Sequence, residues 1–211
     1  MDAADRHRLA ELAPVVRRAI DLDPRSLVRV LAEGAAASVL VRLPFGVLVS
    51  RTVRAEPRAE ALDAAVPADA LLAWLDGESA EPPPRRDEAW RAARPPTSGW
   101  RRIETVPDDV VRGLVRSGAL ALKDAAAREG VPGAQPRQEV ADALLDSVVL
   151  TASDDAGRRA EITLRALSAL TRMGFLPRGG VTHIDLVGRW VRVVAQYGTV
   201  YLERPGGLVL R

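Results

Sequence analysis

A proline-rich stretch at residues 78–99, ESAEPPPRRDEAWRAARPPTSG, limits how this chain can fold more than any other feature. It combines three consecutive prolines, a run of charges and a second Pro-Pro pair, which neither a helix nor a strand accepts for long. We therefore predict a linker at 78–99 between two domains, at 1–77 and 100–211. Trp90 inside it either docks a partner or packs back on its own domain. We expect the second, because large exposed aromatic side chains are uncommon.

The N-terminal domain is predicted to have the order α-β-β-β-α. Three successive runs, SLVRVLAEG, ASVLVRLP and FGVLVSRTVRAE, are rich in apolar and β-branched residues and are bounded by Gly or Pro. They predict a three-stranded antiparallel meander after an N-terminal helix interrupted at Pro14. A last helix begins at Pro67 and stops at Gly77. This scaffold is generic and indicates no function by itself.

The C-terminal domain is predicted to contain three helices followed by a small antiparallel sheet, which makes the whole chain α+β. After a short strand in GWRRIETV, the helices are predicted to start at Pro107, to run from Pro136 to about Leu150, and to span about 158–174. Asp108 and Asp109 fall in the first turn of the first helix, where carboxylates favour the positive end of the helix dipole. Alternating polarity in THIDLV, RWVRVVAQ and TVYLE then predicts the sheet.

Several classes of chemistry are missing from the sequence. The chain has no cysteine, which excludes disulfides, thiolate metal sites and thiol nucleophiles. Its two histidines, His7 and His183, lie in different predicted domains, and nucleophile motifs, phosphate loops and zinc spacings are absent. Glu139, Asp142 and Asp146 either hold a hydrated Mg²⁺ or form a solvated helix face, and we expect the face. We therefore expect a non-enzymatic protein with no cofactor and no metal.

Residue usage and charge placement limit the classes of partner that we expect for this chain. The sequence is charged from its second residue and has no apolar run of roughly 18 residues, so we expect a cytoplasmic protein that has no membrane partner. A single Lys, no Asn and abundant Ala, Arg, Gly and Pro are typical of a GC-rich genome, which makes arginine content alone weak evidence. The formal charge is +2, with nine basic and five acidic residues in 151–211. The positive excess therefore lies in the last third.

A basic helix face is the sharpest functional pattern in the sequence. On the predicted helix at 158–174, Arg158, Arg165 and Arg172 recur every seven residues opposite the apolar stripe. Such a ridge either contacts phosphates and base edges in a major groove or is a solvated face with a Glu161–Arg165 pair. The order of three helices and a hairpin resembles a winged-helix domain over about 107–204, which implies nucleic-acid binding by the third helix.

The loop before that helix favours a different function. It reads TASDDAG, about seven residues where a helix-turn-helix normally uses three or four, and it brings Asp154 and Asp155 beside the basic face. Two carboxylates there would repel DNA phosphates. We therefore expect a binding or scaffolding protein that acts through protein–protein association, with nucleic-acid binding as the alternative.

The C-terminal hairpin supplies the predicted protein interface. With Tyr197-Gly198 as a two-residue turn, Val194 faces Tyr201 and Arg192 faces Glu203 across the strands. One face of the hairpin is then apolar core. The other exposes Trp190, Val194 and Tyr201 together, which suits a protein partner or a homodimer contact.

Overall fold

One long hairpin organises the N-terminal half of the chain. The structure is a computed structural model that describes residues 1, 3–128 and 134–204, and it divides into two compact units, Met1–Arg94 and Pro95–Arg211. In the first unit, strands β1 (Leu27–Arg42) and β2 (Leu48–Pro67) pair antiparallel. The reversal is closed by a hydrogen bond of 2.8 Å from the Leu43 N–H to the Val47 carbonyl.

Three helices accompany this hairpin. Helices α1 (Ala3–Leu9) and α2 (Ala13–Leu22) precede it, and α3 (Ala68–Leu75) follows it directly. Their buried residues lie at helical spacing, so one stripe of each helix enters the core. Fully buried members include Leu9 of α1, Val16 and Ala19 of α2, and Ala68, Leu71 and Trp74 of α3.

The predicted three-stranded meander is wrong in one place. The first two runs form the single strand β1, because Gly34, at φ +54°, makes a bulge where a turn was expected. The partners on either side of it, Ala32 with Leu62 and Ala36 with Arg54, show that the strand continues past the bulge in the same direction. The order of the unit is therefore α-α-β-β-α.

Much of the predicted linker belongs to the first unit. The Arg86 N–H donates to the Ala65 carbonyl at 2.6 Å, and the Ala65 N–H donates to the Asp87 carboxylate at 2.7 Å. Trp90 packs on its own unit, as expected, with the Arg29 guanidinium 5.9 Å from the ring centroid. The prolines prevent regular structure, yet these polar contacts fix residues 85–90 along β2.

A four-stranded antiparallel sheet organises the second unit. Its strands are β3 (Arg101–Pro107), β6 (Val181–Val187), β7 (Trp190–Ala195) and β8 (Gly198–Glu203), in the order β8-β7-β6-β3. Strands β4 (Val148–Ser153) and β5 (Arg159–Thr163) form a separate hairpin. The helices are α4 (Asp108–Arg128), α5 (Ala134–Leu145) and α6 (Leu164–Arg172).

The predicted second and third helices are both shorter than expected. The second ends at Leu145, and β-branched Val148 and Val149 begin β4. The segment predicted to open the third helix is strand β5, in which exposed Arg159 and Glu161 alternate with buried Ala160 and Ile162. The helix begins only after Thr163, whose hydroxyl caps it by accepting from the Ala166 N–H. A hairpin thus separates two helices that a winged-helix order places side by side.

Two glycines of α4 give a matched test of this packing. A Cβ at Gly113 would meet nothing within 4 Å, whereas one at Gly118 would overlap the buried Leu164 side chain. We expect Gly113→Ala to stabilise the fold by about 0.5–1 kcal/mol, since Ala is the better helix former. Gly118→Ala should instead lose about 1–3 kcal/mol to overpacking. Urea unfolding measures both, and equal stabilisation by the two substitutions would contradict the α4–α6 packing.

Candidate functional site

The three arginines predicted to form a basic ridge do not share a helix face. Arg158 precedes β5, where its Nε donates to the Asp154 carboxylate at 2.6 Å. That hydrogen bond holds the pKa of Asp154 below its usual range. Only Arg165 and Arg172 lie on α6. The predicted ridge is therefore wrong, because the residues before Leu164 are extended and Arg158 is drawn to the loop carboxylate.

Arg165 pairs with two carboxylates, Asp142 on α5 and Asp146 just after its end. Its Nε lies 2.7 Å from Asp146 and its NH2 lies 3.1 Å from Asp142, and only 15% of its side chain is exposed. The hydrogen bond with Asp146 raises the pKa of Arg165, so its charge is fixed. The same contacts occupy two of the three carboxylates considered for Mg²⁺, while Glu139 is exposed. Within the described residues, no group of three or more His, Asp or Glu is placed to hold a metal ion.

The C-terminal hairpin turns one residue earlier than predicted. Gln196 and Tyr197 form the turn, Val194 pairs with Thr199, and Arg192 pairs with Tyr201. The predicted Arg192–Glu203 pair is therefore wrong, since Glu203 bonds Arg189. The register slips by two residues along β8, so the assignment of side chains to the two faces is preserved.

The predicted interface residues do not form an exposed patch. Trp190 retains 9% of its surface, so this large side chain is buried. Val194 and Tyr201 are half-buried. The ring of Tyr201 lies against Trp100, with 6.0 Å between ring centroids. Sequence reasoning missed Trp100, which comes from outside the hairpin and covers this part of its outer face.

The centre of the outer sheet face is a charged cluster around Asp185. Its carboxylate accepts from Arg102 at 3.2 Å and from Arg192 at 2.9 Å, and 3% of its side chain is exposed. The Arg192 guanidinium also lies 4.5 Å from the Trp100 ring centroid, a cation–π geometry. Alternation in THIDLV could have placed Asp185 on this face, but its partners come from two other strands.

Strand β3 ends the sheet and has a guarded outer edge. It pairs with β6 on one side, and the sheet order stops at β3. The Thr105 N–H donates to the Glu104 carboxylate at 2.9 Å. The Thr105 hydroxyl shares a 3.0 Å hydrogen bond with Nδ1 of His183. A charged side chain that satisfies an edge N–H blocks the approach of another strand.

A substitution at Asp185 tests how much this cluster contributes to the free energy of unfolding. Asp185→Asn leaves two guanidinium groups beside a buried neutral amide, and we expect a loss of about 3 kcal/mol in unfolding free energy. Glu161→Gln is the control, because Glu161 and its partner Arg159 are 55% and 63% exposed, and it should change stability by less than about 1 kcal/mol. Chemical denaturation of both variants measures the difference. Similar small effects would show that the cluster contributes little.

Solved structures similar to this chain are bacterial sliding clamps. The DNA polymerase sliding clamp from Caulobacter crescentus matches with a TM-score of 0.56 and 12% identity, over 97% of this chain and 65% of that chain. DNA polymerase III subunit beta from Pseudomonas aeruginosa matches with a TM-score of 0.55 and 13% identity, over 96% and 64%. The griselimycin-bound clamp of Bartonella birtlesii gives 0.54 and 12%, over 93% and 63%.

These likenesses show the fold, and this chain spans less than two thirds of the length of those clamps. The predicted winged-helix order is corrected: the β4–β5 hairpin lies between α5 and α6 in this chain, and the similar solved structures are sliding clamps. None of the described helices is long and apolar enough to cross a membrane.

Family models cover both units. No curated protein matches the sequence. Residues 1–92 match a domain of unknown function, DUF8010. Residues 95–207, more than half of the chain, match a second one, DUF8185. The chain therefore belongs to the DUF8185 family.

Proposed function

We propose that this protein is a non-enzymatic scaffold that acts through protein–protein association. The observation that carries the proposal is the clamp-like fold, which extends over 96–97% of the chain in several solved clamps. A fold shared at 12–13% identity conveys architecture and not a partner. The chain's own surfaces must therefore indicate how association occurs.

The two outermost strands are the surfaces best suited to association. In the first unit β1 forms a hairpin with β2, and in the second unit the sheet order ends at β3, which pairs with β6. A terminal strand offers unpaired N–H and C=O groups that another strand can satisfy. This location replaces the hairpin face, which is partly covered by Trp100.

Because the two edges belong to different strands, β1 and β3, a contact between copies that uses both is head-to-tail. β1 of one copy would add to β3 of the next, which is a heterologous interface. Such contacts close into a ring of defined size or continue as a filament, depending on the rotation between copies. We propose the closed form, a homodimer, because it pairs both β1 and β3 of each copy.

Glu104 is the side chain that must move for this association. Its carboxylate holds the Thr105 N–H, which an incoming strand would need. At the C-terminal end of β3, Val181 pairs with Pro107 and is 46% exposed. Val110, in the first turn of α4, is 48% exposed. An apolar pair beside an edge gives the docking strand surface to bury. The acidic guard and the apolar pair together would make association specific and reversible.

Substitutions at this edge test the proposal with opposite signs. Thr105→Pro removes the N–H that Glu104 holds, and we expect dimer affinity to fall about tenfold or more. Glu104→Ala frees the same N–H and should strengthen association severalfold. Thr105→Ala is the control, because it keeps the N–H while losing the hydroxyl. Sedimentation velocity over a concentration series measures the dimer affinity of each variant. A strictly monomeric chain, or equal losses of affinity in Thr105→Pro and Thr105→Ala, would refute the β3 interface.

DNA association is the second candidate, and two observations favour it. The matching structures are described as DNA polymerase clamps, and residues 151–211 carry nine basic and five acidic residues. The pairing of Arg158 and Arg165 with carboxylates argues against base reading. Any binding should therefore be independent of sequence and should depend on phosphate contacts.

Salt dependence decides this candidate. We expect any affinity for labelled duplex, measured by fluorescence anisotropy, to fall steeply as salt rises. Two duplexes of unrelated sequence should bind equally. A marked preference for one duplex would contradict the backbone-only reading, and absence of binding at low salt would remove the candidate.

A further inference from the structure

A concave cavity with arginines on its rim lies at one end of the second unit's sheet. Its volume is about 440 Å³, and its lining includes four arginines: Arg101, Arg158, Arg159 and Arg204. The floor is apolar and comes from Leu186 and Val187 at the end of β6. Strand β3 places Arg101 opposite Leu186, and the start of β5 supplies the arginines from the other side.

The positive charge of this cavity is only partly balanced. Arg158 pairs with Asp154, and Arg159 pairs with Glu161. Arg101 and Arg204 have no carboxylate partner among the residues that the structure describes. The cavity therefore carries two guanidinium charges in excess.

Arg204 is held in place without being neutralised. Its NH2 donates to the Gly188 carbonyl at 2.7 Å and its NH1 donates to the Arg159 carbonyl at 3.3 Å. Carbonyl acceptors fix the direction of the guanidinium but do not cancel its charge. Such a group is preorganised for an anion, since little side-chain entropy is left to lose on binding.

We propose that this cavity binds a small phosphate-bearing molecule. Guanidinium groups present planar pairs of N–H donors that match phosphate oxygens, and charge-assisted hydrogen bonds are the strong ones. A volume of about 440 Å³ lies in the range of small-molecule pockets. The apolar floor beside the charged rim suits an organic group attached to the phosphate.

The shape of the site favours a small ligand over a nucleic acid. Phosphates of a duplex lie on a convex, regular surface and would reach only the rim of a concave site. The apolar floor at Leu186 and Val187 would then stay uncovered. A duplex that competes for this cavity is accordingly an outcome that overturns the proposal.

Isothermal titration of the full chain with pyrophosphate and with ADP, in chloride buffer, tests the site. Arg101→Gln removes an exposed guanidinium that has no carboxylate partner in the described part of the chain, and we expect it to weaken binding of both probes about tenfold. Arg159→Gln should weaken binding as well. Arg116→Gln is the control, because Arg116 is an exposed arginine on α4 outside the cavity, and it should leave affinity unchanged.

The titrations answer two questions: whether the cavity binds phosphate groups at all, and whether the bound phosphate is inorganic or part of an organic molecule. Tighter binding of ADP than of pyrophosphate supports a ligand with an organic group over the apolar floor. Equal binding supports an inorganic phosphate source. Three results overturn the proposal: no binding of either probe at millimolar concentration, equal losses in Arg101→Gln and Arg116→Gln, or displacement of pyrophosphate by duplex DNA with the same dependence on Arg101.

Discussion

An antiparallel sheet must satisfy or guard the backbone groups along its outermost strands, and this requirement connects the fold of the chain to its proposed association. At β3 the guard is Glu104, whose carboxylate occupies the Thr105 N–H. At β1 the bulge at Gly34 interrupts the regular edge. Both devices discourage unspecific strand pairing and leave room for one specific partner.

Many of the described arginines pair with carboxylates of the chain itself. Asp185 binds Arg102 and Arg192, Asp142 and Asp146 bind Arg165, and the Asp63 carboxylate binds Arg29 at 2.7 Å. The hydrogen bond from Arg29 keeps the pKa of Asp63 below its ordinary value. A spacing of arginines along the sequence is therefore a poor guide to a nucleic-acid surface here, because carboxylates from other elements determine which of them keep uncompensated charge.

Patterns that depend on one element were predictable, and those that depend on several were not. Alternating polarity located strands β6, β7 and β8, and the faces of the hairpin survived a register error because a shift of two residues preserves parity. The helical spacing of Ile162 with Ala166 and Ala169 predicts a helix from about residue 158, but residues 159–163 form strand β5 and only then does α6 begin.

The other features that the sequence did not predict depend on tertiary contacts. The glycine that ends the run SLVRVLAEG predicts a turn at Gly34, but the strand continues through it. The Glu104 guard and the four-arginine cavity both depend on which strands meet, which no local pattern contains. The burial of Trp190 likewise could not be read from the alternation of β7, which assigned it to the outer face.

Backbone hydrogen exchange, measured below and above the concentration at which the chain associates, tests the central claim most directly. If copies associate through β1 and β3, the Thr105 amide and amides on the outer side of β1 should exchange more slowly at high concentration, because a second copy pairs with these edges. Amides already bonded between β6 and β7 should not change. Protection gained only on the helices or at the Gln196-Tyr197 turn, or no protection at any concentration, would contradict association through the sheet edges.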